Sequence, residues 1–92
     1  MKKRTKKEEA LINFKKARTS LSRIIKMTED KKYCIDIMQQ NLAVIGLLKS
    51  ANQLLMQGHL DHCFKDAIKS KNSAKQQKMV DEIIQVTKLS NK

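Results

Sequence analysis

Apolar residues recur every three or four positions along most of the chain, the period of a helix that buries one face. From Thr5 to about Met27, the residues Ala10, Phe14, Ala17, Leu21 and Ile24 form one stripe, flanked by Leu11 and Ile25. Lys15, Lys16, Arg23 and Lys26 fall on the opposite arc, with Arg18 at the edge of the stripe. Thr5 followed three residues later by Glu8 resembles a capping box, which starts the first helix there. Thr28-Glu29-Asp30 reads as a short break that offers an N-cap for the next helix.

The second helix is expected to begin near Lys31 and meets no breaker before Gly58. Ile35, Ile37, Met38, Leu42, Val44, Ile45, Leu47, Leu48, Ala51, Leu54, Leu55 and Met56 cover more than one of its faces. A helix apolar nearly all round is buried on several sides. One small helical neighbour in the same chain cannot cover it, so the pattern predicts self-association. The helix is read through Gly58, because Leu60, Cys63, Phe64, Ala67 and Ile68 keep the period and an isolated interior glycine costs only about 1 kcal/mol. Ser70 to Ser73 reads as a polar linker, and Ser73 with Gln76 as a second capping box. A short third helix then carries Met79, Val80, Ile83, Ile84 and Val86 as its apolar stripe.

Composition narrows the class to all-α. The 92 residues include no proline and two glycines, and aromatic content is 3%, too low for a β-sandwich or barrel. One domain spanning 1–92 is expected, with residues 1–7 as a basic N-terminal arm. Burial alone leaves a chain of this size marginally stable, so a second copy would help. No apolar run approaches the roughly 18 residues that span a bilayer. The basic start is not followed by an apolar signal core, and a cytoplasmic location without membrane association is expected. Two cysteines without a disulfide framework fit a reducing compartment, where Cys and His together point to metal or redox chemistry.

The net charge of +11 is unevenly spread. Residues 1–32 carry twelve basic and four acidic side chains, or +8; residues 33–63 come to −1 and residues 64–92 to +4. A field of that sign attracts polyanions, either nucleic acid or an anionic membrane surface. No helix-turn-helix or zinc-finger pattern is visible, so contacts from Lys15, Lys16, Arg23, Lys26 and Lys49 would fall mostly on phosphates. There is no glycine-rich phosphate loop and no nucleophilic triad, and so small a chain has little room for a substrate pocket, which argues against an enzyme.

The chemistry-bearing residues are Cys34, His59 and Cys63. His59 and Cys63 stand four apart in His59-Leu60-Asp61-His62-Cys63, on one helical face. Thiolate beside imidazole is a soft donor set, suited to Cu(I) or Zn(II). Cys34 lies 25 residues upstream of His59, nearly 40 Å along a straight helix at about 1.5 Å per residue. The three cannot then meet in one chain. Two copies packed antiparallel about a two-fold axis near residues 47–48 would bring Cys34 of one beside His59 and Cys63 of the other, twice. Gly46 lies near that crossing. Two thiolates and one imidazole make a three-coordinate set, which Cu(I) accepts and Zn(II) normally completes with a fourth ligand. His62, about 60° from His59 on a helical wheel, is the one further imidazole; the wheel favours a solvent-facing role for it. The bland alternative is two cysteines that pack as small apolar residues beside a capped histidine.

At these residues the chain resembles the copper-sensitive operon repressor family of bacterial metal-responsive regulators. The resemblance rests on Tyr33-Cys34-Ile35-Asp36-Ile37, on His59-Leu60-Asp61-His62-Cys63 and on Asp66-Ala67-Ile68-Lys69-Ser70, and it covers roughly residues 10–89. It implies a three-helix protomer, an antiparallel hairpin plus a short C-terminal helix. It further implies dimerisation into a four-helix bundle and assembly as a dimer of dimers. It also implies an apo homotetramer on double-stranded operator DNA, released when Cu(I) binds Cys34, His59 and Cys63 across the subunit interface. Tyr33 matches a tyrosine beside the family's ligands, and Glu82 a glutamate there, given a few extra residues in the preceding linker. Helix one departs from the family: an Arg-Ile-Glu-Gly-Gln-Val-Arg-Gly-Ile-like run is replaced by Lys16-Ala17-Arg18-Thr19-Ser20-Leu21-Ser22-Arg23-Ile24. No histidine lies near the N-terminus, against the family's nickel/cobalt branch, and residue 2 is lysine rather than proline, against its formaldehyde-sensing branch. Two rival functions remain at this point: a repressor of the same fold that senses persulfide or thiol redox state through Cys34 and Cys63, and a non-sensing basic helical module.

Overall fold

The computed structural model describes residues 3–90. Among them there is no strand. Helix α1 runs Lys6–Glu29 and helix α2 Cys34–Gly58; a π-helical turn, His59–Phe64, leads into α3, Lys65–Lys69; α4 is Ser73–Ser90. The all-helical expectation holds, with three long helical stretches. The second is continuous through Gly58, as the periodicity required. The chain divides into two units, one through Gln57 and one from Gly58.

In the first unit, the Thr5 hydroxyl accepts from the Glu8 backbone N–H at 3.1 Å and caps α1. Lys6 and Lys7 of the expected basic arm are therefore helical, and Met1 and Lys2 lie outside the described residues. The break after α1 sits later than the sequence suggested. Thr28 does not cap a new helix; its hydroxyl donates back to the Ile24 carbonyl at 2.8 Å, and α1 continues to Glu29. Lys32 N–H then donates to Met27 and Lys31 N–H to Thr28. This is a Schellman closure, with Lys31 at φ 55° in the place glycine usually takes. Helix α2 starts at Cys34 rather than Lys31, because that left-handed residue ends one helix and cannot open the next. The Tyr33 carbonyl receives the first N–H groups of α2, from Asp36 and Ile37.

The connection over residues 30–33 is short, and Asn13 of α1 donates to the Leu47 carbonyl of α2 at 3.3 Å. The two helices are neighbours in a hairpin. Their buried residues are Ala10 and Ala17 on α1 and Val44 and Ala51 on α2, each pair two helical turns apart. Small side chains along this line let two helices approach closely. The larger members of the stripe stay open: Phe14 is 40% exposed, Leu21 43%, Leu42 65% and Leu48 41%. No large side chain among the described residues is fully buried. Nothing stands within 4 Å of where a Cβ on Gly46 would lie.

The second unit is tied by its polar groups. Asn72, not Ser73, caps α4: its Oδ1 accepts from the Lys75 N–H at 3.1 Å. Gln76 does not close a box on Ser73. Its amide reaches the carbonyls of Ala67 and Ile68 at 3.4 and 3.2 Å and satisfies the C-terminal end of α3. Among the described side chains of this unit Ala67 is buried, and none of those on α4 is. At 18 residues, α4 is longer than a short terminal helix.

Candidate metal centre

Cys34 is the first residue of α2, and His59 the residue directly after its last. At about 1.5 Å per residue, the 25 residues of α2 correspond to roughly 37 Å of helix. Both cysteines are free and exposed. His59 is half-buried, whereas Leu60, Asp61, His62 and Cys63 are exposed. His59, His62 and Cys63 all belong to the π-helical turn, a local structure that the sequence period did not reveal. A π-helix bonds i to i+5 and is rare outside short insertions in α-helices, frequently at functional sites. Two residues four apart remain on one side of such a turn, so His59 and Cys63 keep their common face.

Among the described residues, no group of three or more His, Cys, Asp or Glu side chains is placed to hold a metal ion. The pair alone supplies one imidazole and one thiol, chemically apt for a soft ion and short of its coordination number. Tyr33 is 70% exposed and stands beside Cys34 at the start of α2; Glu82 is exposed on α4.

The cationic candidates are all exposed. Lys15, Lys16, Arg23 and Lys26 project from α1 and Lys49 from α2. Lys26 is held 3.7 Å from Asp30, four residues on, so part of its charge is answered locally. Lys6 makes a similar pair with Glu9 at 3.8 Å. Asn13, which the sequence reading passed over, fixes α1 on α2; its one signal was a polar residue between apolar positions of the stripe.

No helix among the described residues is long and apolar enough to cross a membrane. No solved structure matches the chain significantly. The family model described as metal-sensitive transcriptional repressor matches residues 6–88. The copper-sensing transcriptional repressor CsoR of Mycobacterium ulcerans is 38% identical over 85 residues, covering 92% of this chain and 70% of the relative. The protein of the same name from Mycobacterium tuberculosis (strain ATCC 25618 / H37Rv) is 34% identical, over 92% of this chain and 69% of its own. The one from Bacillus subtilis (strain 168) is 31% identical over 87 residues, 94% of this chain and 83% of its own. These relatives are transcriptional repressors and the family is not enzymatic. The match extends from the first turn of α1 almost to the end of α4, and the chain belongs to the metal-sensitive transcriptional repressor family.

Proposed function

We propose that this chain is a Cu(I)-responsive repressor whose metal site is built between two copies. The observation that supports it is the order of elements: Cys34 is the first residue of α2, and His59 and Cys63 belong to the π turn that follows its last. Two copies with antiparallel α2 helices supply both halves of the set, twice. Two thiolates and an imidazole suit Cu(I) in number and softness. Three relatives whose names state copper sensing support the choice of metal. The thiol-sensing and architectural readings have no counterpart among them.

Burial supports the assembly. The described chain buries five residues, four alanines and one valine, and leaves Leu11, Phe14, Leu21, Ile25, Leu42 and Leu48 exposed. Apolar faces of that extent on a small chain mark an interface. A second hairpin covering them gives a four-helix bundle, and two such dimers the tetramer.

DNA is the polyanion that a repressor meets, and Lys15, Lys16, Arg23, Lys26 and Lys49 are the residues we assign to it. Metal and DNA are then linked through the interface: ligands drawn from two chains favour one arrangement of the dimer, and release follows if DNA favours the other. Tyr33 and Glu82 would tune the site from beside the ligands. The test is an anaerobic Cu(I) titration of reduced protein against a competing chelator, read by thiolate-to-copper absorption. One tight Cu(I) per protomer, lost in Cys34→Ser, is expected; tight binding that survives Cys34→Ser refutes the proposal.

A further inference from the structure

The charge excess of the second unit is gathered at one corner. Residues 64–92 carry a net +4, and residues 65–80 account for all of it, with Lys65, Lys69, Lys71, Lys75 and Lys78 against Asp66 alone. No acidic side chain occurs between Asp66 and Asp81. Lys65 and Lys69 stand four apart on α3, Lys71 follows in the connection, and Lys75 and Lys78 stand three apart on α4, so each helical pair shares a face. All five are exposed. The corner that displays them is held by its own polar groups. Gln76 ties α4 to the last carbonyls of α3, the Ser70 hydroxyl accepts from the Asn72 N–H, and Asn72 caps α4.

The fold gives these charges no partner of its own. Asp66 is three residues from Lys69, and Asp81 and Glu82 are three and four from Lys78, all at the spacing of helical ion pairs. Yet the ion pairs among the described residues are Lys6 with Glu9 and Lys26 with Asp30, and none forms at this corner. Asp81 accepts instead from the Gln77 amide at 2.9 Å. Lys75 also stands in the first turn of α4, which holds no acidic residue and where a cation opposes the helix dipole. Like charges held close together repel, and a polyanion laid against them removes that repulsion. We propose that this corner is a second DNA-contacting surface, in addition to the basic set on α1 and α2. The proposal rests on DNA as the partner of this chain and adds where DNA is held. DNA is favoured over a lipid surface because the family is one of transcriptional repressors. Lysines are point charges on flexible stems and fit phosphates rather than base edges. The corner therefore adds affinity for any duplex and no choice of operator.

The test uses the full chain and a fluorescently labelled duplex of about 30 random base pairs, with anisotropy read from roughly 20 to 200 mM salt. One variant combines Lys65→Gln, Lys69→Gln, Lys71→Gln, Lys75→Gln and Lys78→Gln. Its slope of log affinity against log salt should be shallower by about 2 or more, at about 0.9 per phosphate contact. Its affinity near roughly 100 mM salt should fall by about tenfold or more. A second variant loses the same charge elsewhere, through Lys3→Gln, Lys6→Gln, Lys7→Gln, Lys31→Gln and Lys32→Gln. Its slope should change by less than about half as much. Arginine at the five corner positions keeps the charge and should keep the wild-type slope. Equal changes in the two glutamine variants overturn the proposal, since net charge alone then explains the loss. An unchanged slope in the corner glutamine variant, or a slope lost in the arginine one, overturns it as well. Phosphatidylserine vesicles supply the remaining arm. Vesicle binding that the corner glutamine variant loses, with its DNA binding intact, overturns the proposal in favour of a lipid surface. Each of these failures leaves the functional reading standing. A wild-type chain that binds no DNA even at about 20 mM salt defeats both together.

Discussion

His59 is the residue through which metal occupancy is expected to reach DNA. It is the half-buried member of its pair, placed where α2 passes into the π turn. In His59→Ala the two thiolates can still hold Cu(I), so binding should persist in weakened form while metal-dependent release of DNA is lost. Fluorescence anisotropy of labelled operator with and without Cu(I) measures this, and normal release by the variant would refute the role. Lys31 gives a prediction of another kind. A lysine at φ 55° pays a steric cost that glycine does not. Lys31→Gly should stabilise the chain by about 1 kcal/mol, less the added freedom of the unfolded glycine; chemical denaturation reads the sign. The candidate ligands were legible because Cys and His are scarce here and their spacing is helical. The π register that carries His59 and Cys63 was not, since six residues do not distinguish an α-helical period from a π-helical one.

Element boundaries depend on caps. The chain has no glycine at the end of α1 to announce a stop, so Thr28-Glu29-Asp30 looked like a break although the helix runs through Glu29. Asn72 and Ser73 are both good N-caps and adjacent, and only the bond from Lys75 N–H to Asn72 decides between them. Asn72→Ala should therefore cost about 1 kcal/mol, and Ser73→Ala much less; urea midpoints of the two variants separate the cases, and equal losses would contradict the assignment. The continuity of the middle helix past Gly58 was readable from the apolar period. Its π turn was not, because hydrogen-bond register leaves no mark on composition. In the α1–α2 hairpin the stripe was legible as a stripe. Which members meet α2 and which await another surface was not, since Ala10 and Phe14 carry the same pattern and only packing separates them.

At the scale of the molecule, charge and apolar surface divide the work. The basic residues assigned to DNA are exposed, four of them on α1 in the more positive part of the sequence and Lys49 on α2. If about five phosphates are neutralised, affinity should fall about 500-fold between roughly 50 and 200 mM salt; a flat response would contradict phosphate contact. On the proposed reading a second copy covers the apolar faces left open on one chain, an expectation the sequence already carries in a helix two that is apolar on several sides. What the sequence leaves open is which metal fills the set, because softness admits both Cu(I) and Zn(II). Each site is proposed to take Cys34 from one chain and His59 with Cys63 from another, and complementation between two variants is the sharpest test. Cys34→Ser and Cys63→Ser proteins are each expected to lack tight Cu(I) binding. Mixed in equal amounts and allowed to exchange subunits, they should regain it at about one Cu(I) per four protomers, because half the dimers are mixed and each mixed dimer holds one intact site. A mixture that binds no better than its components, with exchange verified, would contradict the intersubunit site.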